Sequence, residues 1–396
     1  MKTSKTQRKI NSFICTLVFL VSTNAYTQEF HDFQKYKGEK LHIQPSIKIF
    51  PRKGKYMLSG ITDTVLDKSL TSNIQKIIAD HEIAGISITM LIPEKGIWQL
   101  DTGYISKQAN ALVDSFSIFY WASVSKLITS TVIQQLVVEN KLDFSDKLSY
   151  WYPQFDQSEQ ITIRHLLNHT SGIFSFNSDS TFHFENRFQT RNELLDFALS
   201  HKNLFNPGEH WSYSNTGYLL LALITEKIEG KSFEQIVQER ITAPQGLSSM
   251  RILSQKEPPN NLALAHIHNA IVETHYSLPL GAGNIVSNSK DMALFFHSLL
   301  TGRYLPINMV HDMLKELYPM FNNGQYYGNG IMLYDFKQIN STPNQWIGHS
   351  GGTENYKAIL VYDIKTKAIC AISVNQNVSV EAIAFSMLGK INELHR

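Results

Sequence analysis

The period of the apolar residues changes twice along this chain, and that change most limits the folds open to it. Ile86, Ile88, Met90 and Ile92 alternate with smaller residues, Pro93-Glu94-Lys95-Gly96 supplies a turn, and Trp98 and Leu100 continue on the way back. Alternation of this kind predicts a hairpin of half-buried strands. Strand-like runs return near the other end, at Tyr356–Tyr362 and Ala368–Val374. Between them the apolar runs at Leu127–Val138, Glu193–Leu199, Gly217–Ile228 and Met292–Leu300 are helical, and helices are also expected at Leu66–Ile83 and Val380–Leu394. The arrangement predicts an α+β fold: an antiparallel sheet from both ends (about 66–115 and 320–396), flanked by helices, with an inserted all-helical part (about 116–319). The chemistry would then lie in the cleft between the two parts. With 396 residues, 43% of them apolar, the chain can bury a substantial site.

Three short motifs punctuate this pattern in order: Ser123-Val124-Ser125-Lys126, Tyr213-Ser214-Asn215 and His349-Ser350-Gly351. They supply a hydroxyl nucleophile, an amine and a phenol able to move its proton, an amide to hold a substrate, and a third wall carrying a donor. Those are the parts of an acyl-transfer site. Ser123 stands where an apolar helix begins and Lys126 follows one turn on, so amine and hydroxyl share a helix face. Positive potential at a helix start favours an alkoxide, and burial would lower the lysine pKa towards that of a useful base. The competing readings are a serine cap followed by a solvated lysine and, for Tyr213 and Asn215, a turn ahead of a helix. Two of the motifs recur: Ser287-Asn288-Ser289-Lys290 repeats Ser-x-x-Lys, and Tyr327-Gly328-Asn329 repeats Tyr-x-Asn. Ser287 reads as the cap of a helix beginning near Asp291, and Tyr327 as part of a glycine-rich strand.

Further segments carry a resemblance: Asn140–Asp146, Ile161–Gly172, Pro207–Tyr218, Gly281–Ser287 and Gly348–Gly352. Together with the motifs they resemble serine hydrolases of the class C β-lactamase and D-Ala-D-Ala carboxypeptidase superfamily, which includes esterases and aminopeptidases acting on D-residues. The likeness covers most of the chain from about Leu66 onward. It implies a penicillin-recognising fold working without metal or organic cofactor. Ser123 would attack an acyl carbonyl, Lys126 and Tyr213 would share the proton transfers, and Asn215 would hold Lys126 and the substrate amide oxygen. His349, Ser350 and Gly351 would contact substrate, and the backbone N–H groups of Ser123 and Gly352 would form the oxyanion hole. Class C β-lactamases carry lysine where His349 stands. A carboxypeptidase-like peptidase or a carboxylesterase, acting on small peptides, D-amino-acid amides or esters, is therefore expected ahead of a β-lactamase or a non-catalytic penicillin-binding domain. With a usual pKa of about 6.5, His349 is expected to become cationic near pH 5.5 and contact a substrate carboxylate.

Rival readings are weaker. Gly348-His349-Ser350-Gly351-Gly352 also fits the elbow of α/β-hydrolases, but a strand-like run follows it and the later histidine is His395, next to the C-terminus. His266, His268 and His275 lack an acidic or cysteine partner at a zinc spacing and read as surface strand histidines, so no metal is expected. Phe174, Phe176, Phe182, Phe184 and Phe188 either line an acyl pocket or pack under a long loop. Lys2, Lys5, Arg8 and Lys9 precede the apolar run Ile10–Val21 and the small residues Thr23-Asn24-Ala25, which predicts a leader over 1–25 and an exported protein. An uncleaved anchor is the alternative, although the run falls short of the ~20 residues a bilayer needs. Residues 26–65 carry little pattern, and Gln154–Gln160 and Ser254–Asn261 read as surface loops. The leader holds four of 36 basic and none of 34 acidic residues, so 32 against 34 leaves the remainder at −2. That charge implies neither a nucleic-acid partner nor an anionic membrane surface, and no obligate protein partner is evident. Cys15 falls in the leader, which leaves Cys370 as a small core residue on a strand.

Overall fold

The computed structural model describes residues 41–51, 56–178, 189–253, 258–268, 270–272 and 280–394. The expected leader at 1–25, with Cys15, and Phe182, Phe184, Phe188, His275 and His395 lie outside the described residues, as does part of the Ser254–Asn261 loop. The predicted hairpin forms from β1 (Gly85–Ile92) and β2 (Gly96–Ser106), with Ile88 opposite Leu100 and Met90 opposite Trp98. After the edge strand β3 (Ala111–Leu112) come the short strands β4 (Phe119–Tyr120), β5 (Arg251–Ile252), β6 (His266–Ile267), β7 (Ala270–Ile271) and β8 (Ile285–Ser287). The chain then returns through β9 (Tyr318–Pro319), β10 (Gln325–Tyr327), β11 (Met332–Asp335), β12 (Gln345–Gly352), β13 (Lys357–Asp363) and β14 (Ile369–Val374).

These strands build a nine-stranded antiparallel sheet in the order β3-β2-β1-β14-β13-β12-β11-β10-β9. The two ends of the sequence meet at its centre, where β1 pairs with β14 from Ile86 opposite Val374 to Leu91 opposite Ile369. Every residue of β1 and β14 is buried, because helices cover both faces and leave these strands no solvent side.

Among the described residues six helices of nine or more residues do this covering and build the rest of the core: α1 (Thr64–His81), α2 (Ser125–Val138), α3 (Arg191–Leu199), α4 (Asn215–Glu229), α5 (Ser289–Leu300) and α6 (Val380–Leu394). On one face Leu66, Leu70 and Ile74 of α1 and Ile383, Met387 and Ile391 of α6 pack on Ile86, Ile88 and Ile372. On the other, Leu127 and Ile128 of α2 and Phe295 and Phe296 of α5 pack on Leu360 and Ala371. A third cluster joins Ile133, Leu194, Leu219 and Leu220, and holds the remaining helices together. The segment between the two halves of the sheet is mostly helical and also carries small sheets, β4-β8-β5 and β6-β7. Among the described residues no helix is long and apolar enough to cross a membrane.

Two local expectations are corrected. Ser287 does not cap the helix after it: it ends β8, fully buried, and Asn288 is the cap, its side chain accepting from the Asp291 N–H at 2.9 Å. The capping role moves one residue because β8 must stay extended to pair with β4 and β5. His266 is not a surface histidine. It is fully buried, its Nε2 accepts from the Lys107 N–H at 3.1 Å and Nδ1 faces the Asn375 amide at 3.1 Å, so it fastens two loops together. Among the described residues no group of His, Cys, Asp or Glu is arranged to hold a metal. Cys370 is buried on β14 opposite Met90, and burial pushes its thiol pKa up, which keeps it protonated and inert.

Leu70 is fully buried between α1 and the sheet, on the face away from the helical part. Leu70→Ala is expected to lower unfolding stability in urea by about 2–5 kcal/mol. The folded fraction should react with an activated ester at the parent rate.

Candidate active site

Ser123 sits in a single 3₁₀ turn, Ala122–Val124, that runs straight into α2. Its neighbour β8 pins this turn: the Trp121 N–H donates to the Ile285 carbonyl at 3.0 Å, and the Ile285 N–H donates to the Ser125 hydroxyl at 3.0 Å. Ser125 in turn donates to the Ala122 carbonyl at 2.6 Å. Ala122 is held at φ 45°, a left-handed conformation that costs a non-glycine residue about 1–3 kcal/mol. The strain falls on the residue just before Ser123, where β8 and α2 together over-determine the backbone.

One turn on, Lys126 is wholly buried, and its Nζ lies 3.2 Å from Ser123 Oγ, 2.7 Å from Asn215 Oδ1 and 2.7 Å from the Ala282 carbonyl oxygen. Burial drives its pKa well below the usual lysine value, and no carboxylate bonds it among the described residues. Burial thus favours the neutral amine over the ammonium. As a neutral amine, with its N–H bonds on the two closest acceptors, Asn215 Oδ1 and the Ala282 carbonyl, Nζ would turn its lone pair to the Ser123 hydroxyl. Asn215 is oriented from behind, its Nδ2 donating to Asn177 Oδ1 at 2.8 Å and its backbone N–H donating to Ser175 Oγ at 2.9 Å.

Tyr213 immediately precedes α4, whose N-cap is Ser214, the Ser214 hydroxyl accepting from the Gly217 N–H at 3.2 Å. Its phenol lies against the Ser123 hydroxyl, and Lys126 Nζ stands 4.7 Å from its ring centroid. Burial raises the Tyr213 pKa more than the Ser123 contact lowers it, so the phenol keeps its proton. The same desolvation thus drives amine and phenol to their neutral forms.

The third wall is β12. Its Gln345–Gly348 half pairs with β11, whereas among the described residues His349–Gly352 pair only with β13 and have no strand on the other edge. Gly351 is pressed against the nucleophile turn: a Cβ there would stand 2.5 Å from the Ser123 nitrogen and 3.0 Å from that of Val124. Ser350, on the opposite face, accepts a hydrogen bond from the Tyr334 hydroxyl at 2.9 Å. Ser123, Tyr213, Asn215, Ser350, Gly351 and Gly352 all keep partial exposure.

His349 departs from the sequence-based expectation. It is fully buried, its Nδ1–H donates to the Ser350 carbonyl at 2.6 Å, and its Nε2 accepts from the Tyr327 hydroxyl at 3.1 Å. Burial, helped by the nearby Lys126, pushes its pKa down to about 3. It stays neutral at pH 5.5, and both ring nitrogens are occupied within the protein. The cationic carboxylate contact expected there is absent, because a positive charge on the buried ring would be desolvated with no carboxylate to offset it. Sequence reasoning also set Tyr327 aside as strand filler. It does lie on β10, but its hydroxyl reaches into the site to fix His349. The backbone oxygen of Ala282, which holds Lys126, and the side chains of Ser175 and Asn177, which orient Asn215, were missed too, since nothing in their spacing marks them as parts of the site.

Comparison with known proteins places this geometry. The family model described as Beta-lactamase matches residues 70–385. Penicillin-binding protein 4* of Bacillus subtilis (strain 168) is 27% identical over 323 residues, which cover 74% of this chain and 68% of that protein. A β-lactamase of Providencia stuartii is 25% identical over 269 residues, 62% of this chain and 67% of that one. In fold, the chain is similar to a crystal structure of D-amino acid amidase from Ochrobactrum anthropi SV3 complexed with L-phenylalanine, with a TM-score of 0.74 at 23% identity over 84% of this chain and 99% of that one.

Gly351→Ala tests how closely β12 and the Ser123 turn must approach. The added methyl would meet the Ser123 nitrogen at 2.5 Å, and neither backbone segment can yield cheaply. Acylation by an activated ester, followed as a pre-steady-state burst, is expected to fall about a hundredfold, the scale of loss from roughly 1 Å of misplacement.

Proposed function

The chain belongs to the Beta-lactamase family and is a serine hydrolase, and we propose that its reaction runs through an acyl-enzyme on Ser123 with Lys126 as the base. The observation that carries this reading is the hold on Lys126 Nζ by Asn215 Oδ1 and the Ala282 carbonyl, each at 2.7 Å, which keeps the amine 3.2 Å from Ser123 Oγ. As Oγ bonds to the acyl carbon, its proton passes to Lys126, and the carbonyl oxygen takes the negative charge. In this reading the backbone N–H groups of Ser123 and Gly352 receive that charge, with substrate lying along the β12 edge away from β13. The new ammonium sits over the rings of Tyr213 and Tyr218, at 4.7 and 5.4 Å, whose faces stabilise it. Collapse expels the leaving group, which takes the phenol proton of Tyr213, and Lys126 returns a proton to Tyr213. Water then repeats the sequence on the acyl-enzyme and frees Ser123. Tyr213 thus serves as the acid and relay rather than as a standing phenolate, because burial keeps it protonated.

The neutral His349 bears on the substrate. A lysine at the third wall, as in class C β-lactamases, helps hold a substrate carboxylate, and His349 supplies no such charge down to a pH of about 3. Esters and D-amino-acid amides without a carboxylate beside the scissile bond therefore suit the site better than stem peptides or β-lactams, and the fold likeness to a D-amino acid amidase agrees with this. Residues 1–25 support an exported enzyme meeting such substrates outside the cytoplasm.

Two predictions test the proposal. A fluorophosphonate should add once, at Ser123 by intact-mass and peptide analysis, and Ser123→Ala should abolish both the adduct and ester hydrolysis. Lys126→Ala and Tyr213→Phe should each slow acylation by at least about a hundredfold, with the double variant losing far less than the product of the two. A Ser350 or Ser287 adduct, or full additivity, would refute the shared proton path.

The second concerns pH. With the His349 pKa at about 3, its charge does not change between pH 5.5 and 8. The ratio of kcat/KM for a free-carboxylate substrate to that for its methyl ester should stay flat across that range. A ratio rising as pH falls would restore a titrating His349 and favour the carboxypeptidase reading.

A further inference from the structure

His169 is wholly buried, and desolvation, with Lys126 and His349 near it, holds its pKa well below that of an ordinary histidine. It takes no part in the proton path above. Its backbone adopts φ 64°, the left-handed region, which histidine tolerates better than most residues. This conformation lets its carbonyl and its ring face the same neighbouring loop. The carbonyl accepts from the Ser212 N–H at 2.9 Å, and Nδ1 of the neutral ring accepts from the Ser214 N–H at 3.1 Å. Those are the two residues on either side of Tyr213. The ring itself lies against the phenol, with centroids 4.3 Å apart and planes at 38°. The same loop is tied further back, Gly208 N–H to the Thr170 carbonyl at 2.8 Å and Leu204 N–H to the Gly172 carbonyl at 2.8 Å. Nδ1 accepts, so Nε2 carries the hydrogen, and it has no hydrogen-bond partner among the described residues. A histidine kept here leaves a polar atom unsatisfied, a cost that a purely apolar packing residue would avoid.

We propose that His169 is a positioning residue that holds the Tyr213 phenol against the Ser123–Lys126 pair by bracketing the Tyr213 backbone on both sides. This rests on the acyl-transfer reading of Tyr213. The bracket restrains the chain at residues 212 and 214, and the ring face blocks the direction in which the phenol would swing away. Loss of the Nδ1 acceptor frees the Ser214 amide in a buried place, and the turn that carries Tyr213 shifts with it.

The test separates the acceptor from the ring. His169→Phe keeps an aromatic ring and removes the acceptor, whereas His169→Asn removes the ring but keeps an oxygen near the Nδ1 position and accepts the left-handed backbone. Acylation by an activated ester is measured in single turnovers of the full chain, with near-ultraviolet circular dichroism to check the fold. His169→Phe is expected to slow acylation about tenfold or more with KM changed less than about threefold, and His169→Asn to stay within about threefold of the parent. In a Tyr213→Phe background, His169→Phe should cost no further rate beyond about twofold, since the group it positions is gone. Parent-like acylation by folded His169→Phe, or a loss that multiplies with that of Tyr213→Phe, would overturn the proposal. Should His169→Phe not fold, His169→Asn decides alone: a folded protein that has lost the rate rules out the acceptor role. Parent-like acylation by Tyr213→Phe itself would instead remove the acyl-transfer role of Tyr213, and that of His169 with it.

Discussion

A lysine amine buried without a carboxylate beside it is the constraint on which the site depends. An ammonium ion taken out of water without a counter-ion costs several kcal/mol, so burial shifts Lys126 towards the neutral amine, whose N–H bonds find their closest acceptors in Asn215 Oδ1 and the Ala282 carbonyl. Asn215 comes from the start of α4 and Ala282 from the approach to β8, so the state of one amine ties together three distant parts of the chain. The base is made by exclusion of charge, and every neighbour has to respect that exclusion.

The neighbours do so consistently. His349 and His169 flank Lys126, and both are held neutral, chiefly by the same desolvation. Tyr213, Tyr218 and Tyr327 are pushed upward and keep their protons. Beneath Ser123 there is thus a pocket of hydrogen-bonding groups in which burial works against standing charge. A charge created there in the reaction meets oriented dipoles and ring faces rather than water, the setting in which such interactions count most.

Rigid backbone keeps this arrangement in place. The sheet closes by pairing β1 with β14, which fixes β13 and β12 in turn, and β12 then presses Gly351 onto the Ser123 turn. The turn is gripped from the other side by β8 through Trp121, Ile285 and Ser125. The left-handed Ala122 shows that this grip is firm enough to hold a strained residue beside the nucleophile.

Local pattern in the sequence determined the split sheet, the helices on its faces, the Ser123–Lys126 pairing one helical turn apart and the order of the three motifs. Periods of two and of 3.6 residues, and an i to i+3 contact, are set by neighbours along the chain and can be read there. What lay beyond reach depends on residues far apart in sequence. Ser287 looked like a helix cap until β4 and β5 claimed it for a strand, and His266 looked exposed until Lys107 and Asn375 closed over it. Above all, the charge of His349 could not be read from its motif. The same three letters would describe a titrating histidine in a wet cleft. Only the fold, by setting Lys126 and Tyr327 beside it and shutting out water, decided that it stays neutral, because a pKa belongs to the surroundings of a group rather than to its place in the chain.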